Sequence, residues 1–357
     1  VTLIALTVNH GSPILMADIL FSSRSGDENL PLPTLPKGVG KFLKDKDGYK
    51  PFALKQKLYI VHDRLSVALG GRNDQMLTFY NRLRAFIPTN DFTEDELRDY
   101  ILNYPADLSD RLDAIILASI PDGGRIKFKV WHIGNVKSDY HDLYGDVFAA
   151  GSGTAQFLGH VSETKVYEVD NSIDAPLLSN LSLIGYWIGN DYVWPDTIQN
   201  HWGAGYELVI FKDNKFIKLD QYVVVVMAAE IGDGIEFISR PINTIMINYQ
   251  GDDLVLRSFS GGKENIFGVP PIYTKETHFL PKDVQHHFQN LLGVYVVKSH
   301  YDGKYYCPSF ALTQNVNEFN KTPIKIERTK DQLIVGTSRT QDRYMHDHLL
   351  SVIKKSL

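Results

Sequence analysis

Thr2 and Asp18 are the first residues of the chain, in VTLIALTVNHGSPILMAD, whose types could do chemistry together. Leu3 to Val8 read as a buried strand, His10-Gly11-Ser12-Pro13 as a turn and Ile14 to Phe21 as a returning strand. The hairpin therefore carries the Asp18 carboxylate back beside the Thr2 hydroxyl. A threonine hydroxyl is a poor nucleophile until a base takes its proton, and an α-amino group, with a pKa of roughly 7.7 to 8.0, is such a base on the same residue. That chemistry requires Thr2 to become residue one. Val1 would have to be removed, either as a GTG start codon translated literally or by trimming during maturation. The plainer alternative is two ordinary buried strands with a threonine on the first.

Three more positions extend the pair. Lys57 opens KLYIVHDRL, a strand that turns at His62-Asp63-Arg64 and returns through Leu65 to Leu69 into Gly70-Gly71. Lys55 competes with Lys57, because two residues two apart face the same side of an extended chain. Ser152 lies in VFAAGSG, where a buried strand runs into a small-residue turn before a helix. Taken singly, Asp18 suits a turn or cap, Lys57 a surface charge and Ser152 a turn.

In their order, Thr2, Asp18, Lys57, Gly71 and Ser152 resemble the proteasome β-subunit family, including the bacterial proteasome-like protease subunits, which are N-terminal nucleophile hydrolases. The resemblance is good over roughly residues 2 to 160 and holds in outline over about 175 to 230. It implies an α+β fold, a four-layer αββα sandwich of antiparallel sheets. It also implies roles: Thr2 as nucleophile and, through its freed amine, general base; Lys57 as the cation favouring the alkoxide; Asp18 as its partner. The Gly71 N–H would be the oxyanion donor, and Ser152 would orient the amine. The family's later acidic and serine positions have no clear counterpart here. Asn200 or His201, in QNHWGAG, are candidates to stand in for them.

The chain has 357 residues, 43% hydrophobic and 22% charged, which is enough for two domains. Residues 1–232 are expected to form the hydrolase domain, with a long exposed insertion at 22–56 rich in Pro, Gly and Lys. Residues 233–357 are expected to form a β-rich extension ending in a helix. Helices are expected from Asn73-Asp74, from the capping box Thr93 to Glu96, and over Ala175 to Ile188. A net charge of −5 gives no reason to expect nucleic acid or a membrane surface as partner. One cysteine, Cys307, and no basic leader before the apolar start suit a reducing, cytoplasmic setting. The histidine pairs His286-His287 and His346-x-His348 lack thiol or carboxylate companions at ligand spacing, so no metal and no cofactor are expected.

The resulting expectation is a threonine-type peptidase or amidase that cleaves amide bonds, peptides first. It would work as a homo-oligomer, of ring form by the resemblance, with any ATPase partner left unassigned. A small-molecule amidase and an inactive assembly or binding subunit are the alternatives. Apolar residues near Ala175 to Trp194, notably Tyr186, Trp187 and Trp194, are expected to supply contact surface.

Overall fold

The structure is a computed structural model that describes residues 2–9, 11–35, 48–87, 92–163, 175–274, 289–313, 324–328, 333–337 and 339–356. Val1, His10, Pro88 and the pair His286-His287 lie outside these residues. The chain opens with β1 (Leu3–Asn9), β2 (Ser12–Asp18), β3 (Leu20–Ser23), β4 (Lys50–Leu54), β5 (Leu58–His62), β6 (Leu65–Gly71), α1 (Asn73–Phe86), α2 (Glu94–Leu102) and α3 (Ala106–Ser109). It continues with β7 (Leu112–Asp122), β8 (Arg125–Ile133), β9 (Lys137–His141), β10 (Gly145–Gly151), α4 (Thr154–Glu163), α5 (Ala175–Asp191), α6 (Asp196–Gln199), β11 (Tyr206–Lys212) and β12 (Lys215–Lys218). The remainder is β13 (Tyr222–Ile231), β14 (Arg240–Gln250), β15 (Asp253–Ser260), β16 (Lys263–Val269), β17 (Asn290–Ser299), β18 (Tyr305–Tyr306), β19 (Ser309–Thr313), β20 (Ile324–Arg328), β21 (Leu333–Thr337) and α7 (Arg339–Ser356).

Three sheets carry the architecture. A six-stranded antiparallel sheet has the order β12-β11-β2-β1-β10-β9, and a four-stranded antiparallel sheet the order β5-β6-β7-β8. A seven-stranded sheet runs β16-β15-β14-β13-β17, with β18 and β19 also on β17, and its β13–β17 pair is parallel. Strand β2 shows why the sheets stack. Ile14 and Met16 enter one core while Leu15 and Ala17 enter another, so the strand is apolar on both faces. Leu15 and Ala17 meet Leu58, Ala68 and Ile115 of the four-stranded sheet. The far face of that sheet is covered by Met76, Phe79 and Leu83 of α1 and Leu97 of α2.

The four-layer αββα sandwich expected from the resemblance is not what this chain forms. Strands take 46% and helices 25% of the described residues, a β-rich balance of mostly antiparallel sheets. The physical reason lies in α5, which the expectation put on the outside as a flanking layer. Leu181, Leu183, Ile184, Trp187 and Ile188 are all buried, in one core shared with β2 on one side and with Val224, Leu292 and Val294 of the seven-stranded sheet on the other. A helix apolar on every side belongs in an interior. Its Gly185 and Gly189 permit the close approach: a Cβ at Gly185 would meet Leu292 and Ser309 at 2.8 Å, and one at Gly189 would meet Val294 at 2.9 Å. Beyond the seven-stranded sheet, Met345, Leu349 and Ile353 of α7 pack on Val223, Val225 and Met227.

Several local expectations also change. The returning strand stops at Asp18 instead of running to Phe21, because the Ile19 N–H turns to the Gly205 carbonyl and β3 pairs with β4 in a small separate sheet. The insertion at 22–56 is not simply exposed. Leu32 and Thr34 are buried, and Asn243 holds the Pro33 carbonyl at 3.2 Å. Helix α1 is capped at Arg72 without a side-chain hydrogen bond, and Arg72 pairs with Asp74 at 2.7 Å. Thr93 and Glu96 do form a reciprocal capping box on α2. The domain boundary expected at 232 falls just after β13, a strand of the seven-stranded sheet.

Candidate active site at Thr2

Adjacent strands bring Thr2 and Asp18 together. Ile4 of β1 lies opposite Ala17 of β2, so the residue preceding β1 sits beside the end of β2. The Thr2 hydroxyl donates to Asp18 Oδ1 at 2.8 Å, and both side chains are buried, Thr2 at 2% exposure and Asp18 at 0%. Lys57, which leads into β5, donates from Nζ to the same Oδ1 at 2.6 Å and to the Leu20 carbonyl at 2.7 Å. The Leu3 N–H also reaches Oδ1, at 2.7 Å. Asp18 Oδ2 accepts from the N–H groups of Leu20 at 3.1 Å and Gly203 at 3.0 Å. Five donors thus converge on one carboxylate, whose oxygens are acceptors only when ionised.

Lys57 is fully buried, and the Phe21 ring lies 4.9 Å from its Nζ, within cation–π range. Burial pushes its ammonium below the ordinary lysine range, while the charges of Asp18 and Glu207 act in the opposite direction. Lys55 lies elsewhere: its Nζ donates to the Thr274 carbonyl at 2.8 Å. The two lysines part because residues 55 to 57 form a connection between β4 and β5 and are not an extended strand.

Ser152 stands at the other end of Thr2. Its hydroxyl accepts from the Thr2 N–H at 3.2 Å and faces the Thr2 carbonyl at 3.3 Å, and the residue is exposed. The Thr2 N–H is thus engaged by Ser152 while its hydroxyl is engaged by Asp18. Gly70 packs against Thr2: a Cβ there would lie 2.6 Å from Thr2 Cγ2. Gly71 has φ 104°, in the left-handed region, and a Cβ on it would press into the Arg111 carbonyl at 1.9 Å.

Sequence reasoning missed three contributors. One is the Gly203 N–H, supplied by the segment between α6 and β11, where His201, Gly203, Ala204 and Gly205 all have positive φ. The run HWGAG carried that signal in its glycines. The second is Phe21. The third is Glu207, buried in β11, whose Oε1 accepts the N–H groups of Lys57 and, at 2.9 Å, of Leu58. Asn200 and His201 do not reach Asp18 through any hydrogen bond described. Asn200 donates to Gln156 at 3.3 Å, and His201 lies 5.7 Å from the Tyr49 ring. Cys307 is buried, which pushes its thiol up to about 12 and leaves no thiolate at neutral pH.

A cavity of about 490 Å³ opens on the far side of Glu207, lined by Gln56, Tyr59, Lys218 and Tyr249 among others, and Thr2 is not part of it. No helix among the described residues is long and apolar enough to cross a membrane.

The site is a buried relay of hydroxyl, carboxylate and ammonium, drawn from three separate segments. Against known proteins, the chain matches no family model and no curated protein.

Proposed function

We propose that the chain is an N-terminal threonine hydrolase of amide bonds, with peptides as the first substrate class and Thr2 as nucleophile once residue 1 is removed. The observation that carries the reading is the contact of Thr2 Oγ1 and Lys57 Nζ with one oxygen of Asp18, at 2.8 and 2.6 Å, in a region closed to water. A buried lysine–carboxylate pair is expensive to desolvate and adds little to stability over an apolar pair, so its use beside a hydroxyl favours a chemical role.

In the proposed reaction Thr2 Oγ bonds to the substrate carbonyl carbon, and its proton passes to the freed Thr2 amine. Lys57 stabilises the charge that develops on Oγ, and the backbone N–H at Gly71 faces the oxyanion. The C–N bond then breaks, and the leaving amine takes the proton from the Thr2 ammonium. Water, deprotonated by the same amine, cleaves the ester and restores the hydroxyl.

The deciding experiment is intact-mass and N-terminal analysis after exposure to an electrophilic threonine probe such as a β-lactone. The expected result is a chain beginning Thr-Leu-Ile-Ala with one adduct on Thr2. Protein that begins Val-Thr-Leu-Ile throughout and takes no adduct would refute the reading. One observation favours the second reading, an inactive assembly or binding subunit: Thr2 is only 2% exposed and its hydroxyl proton is committed to Asp18. The same negative result would support it.

Self-association belongs to the proposal, since an enclosed nucleophile needs an enclosure. Of the residues expected to supply its surface, Trp187 is buried within the chain, whereas Trp194, just past α5, is 65% exposed and open to a contact. Light scattering after size exclusion is expected to give a stable mass at several multiples of 40.4 kDa, unchanged on dilution. A single multiple throughout would remove the ring from the proposal.

A further inference from the structure

Glu207 sits where three sheets meet. It lies on β11 opposite Ala17 of β2, and its side chain enters the space between the six- and four-stranded sheets. Oε1 accepts the N–H groups of Lys57 and Leu58, which begin the four-stranded sheet. Oε2 faces Lys218 Nζ of β12 and the Tyr249 hydroxyl of β14, each at 3.3 Å. The carboxylate itself is closed to solvent. Gln56, the neighbour of Lys57, is tied the same way: its Nε2 donates to the carbonyls of Asp252 at 2.6 Å and Val269 at 2.7 Å, and its Oε1 accepts from Lys218. Both ends of the Gln56-Lys57-Leu58 backbone are therefore anchored on groups of β11, β12 and the β14–β16 hairpins.

A buried carboxylate with two backbone donors on one oxygen and a cation on the other fixes a chain segment in position. It is also an uncommon residue for the space between two apolar sheets, so a packing role alone does not account for it. We propose that Glu207 is the positioning residue for Lys57, and that Tyr249 and Gln56 make the seven-stranded sheet part of the apparatus that aims Lys57 at Asp18. The proposal rests on the reading that Lys57 serves Thr2, and it gives the residues beyond 232 a task at the site.

The charged and titratable groups in reach are few. Lys57 faces Asp18 and Glu207, and Glu207 in turn faces Lys218, Tyr249, Tyr59 and Tyr222. Removing the Glu207 charge withdraws support from the Lys57 ammonium, whereas removing Lys218 leaves Glu207 uncompensated and adds support. The two substitutions must act in opposite directions.

The test is an NMR titration of Lys57 in the full chain labelled with ¹³Cε-lysine, the resonance assigned by its loss in Lys57→Arg. In Glu207→Gln the acidity of Lys57 is expected to rise about tenfold, and in Lys218→Met to fall by a similar factor. The rate of Thr2 labelling should follow, with its alkaline limb displaced in the same two directions. Unchanged titration in Lys218→Met, or movement the same way in both variants, would overturn the proposal. If Glu207→Gln does not fold, the direction seen in Lys218→Met decides alone. A wild-type chain that takes no probe on Thr2 would refute the hydrolase reading and leave the titration, and hence the positioning claim, still readable.

Discussion

Lys57→Ala is expected to abolish probe labelling of Thr2 and to lower stability by about 3–5 kcal/mol, because it leaves the Asp18 carboxylate buried without its counter-charge. Stability of small proteins is only about 5–15 kcal/mol, so the loss should be plain in a urea melt. Two controls separate the effects. Lys55→Ala should leave both measurements near wild type, since its ammonium bonds to the Thr274 carbonyl and feels the charge of Asp253 rather than that of Asp18. The double variant Asp18→Asn, Lys57→Met removes both charges together and should recover much of the stability without recovering the labelling. Labelling of Lys57→Ala at the wild-type rate would show that Lys57 has no part in activating the hydroxyl.

The second large effect is one of pH. Asp191, at the end of α5, is fully buried, and burial raises its carboxyl from 3.8 to about 7, against the lowering influence of Thr197 and Thr34. Thr197 donates to its Oδ1, while Oδ2 and the Thr34 hydroxyl lie close but outside hydrogen-bond geometry. The folded chain holds this proton more tightly than the unfolded chain. Its contribution is therefore fully present below about pH 4, falls as pH rises, and is gone above about pH 7, a span of roughly 4 kcal/mol. Asp191→Asn lacks the titration, so the stability of the variant minus that of the wild type should climb by this amount between pH 4 and 7.5. Urea melts at several pH values measure it. A flat difference would mean that Asp191 is ionised throughout or never.

The sequence was informative where a local rule decides the outcome. The capping box at Thr93, the hairpin that returns Asp18 to Thr2 and the strand-to-turn passage at Ser152 each depend on neighbours a few residues away. Lys57 could not be separated from Lys55 on spacing, because the rule of alternation holds only inside a strand and these residues lie between two. Glu207 was hidden for another reason: its partners at Lys57 and Leu58 are about 150 residues distant in sequence, and a glutamate in an apolar strand reads as its solvent side. The layering failed for want of a partner. An apolar surround on α5 was visible in LLSNLSLIGYWIG, but what would cover it, the seven-stranded sheet, was read as a separate extension.

The Gly203 N–H that completes the bonding of Asp18 comes 185 residues after it in the chain. At ordinary synthesis rates of about 5–20 residues per second, roughly 10–40 s separate the two on the ribosome. The strand beside β2, β11, emerges only then, so the carboxylate that the proposed nucleophile leans on stays without its full bonding while the chain is being made. Long-range pairing of this kind is slow to form. Under the proposed hydrolase reading, this late pairing withholds the assembled site from a chain that is still being made.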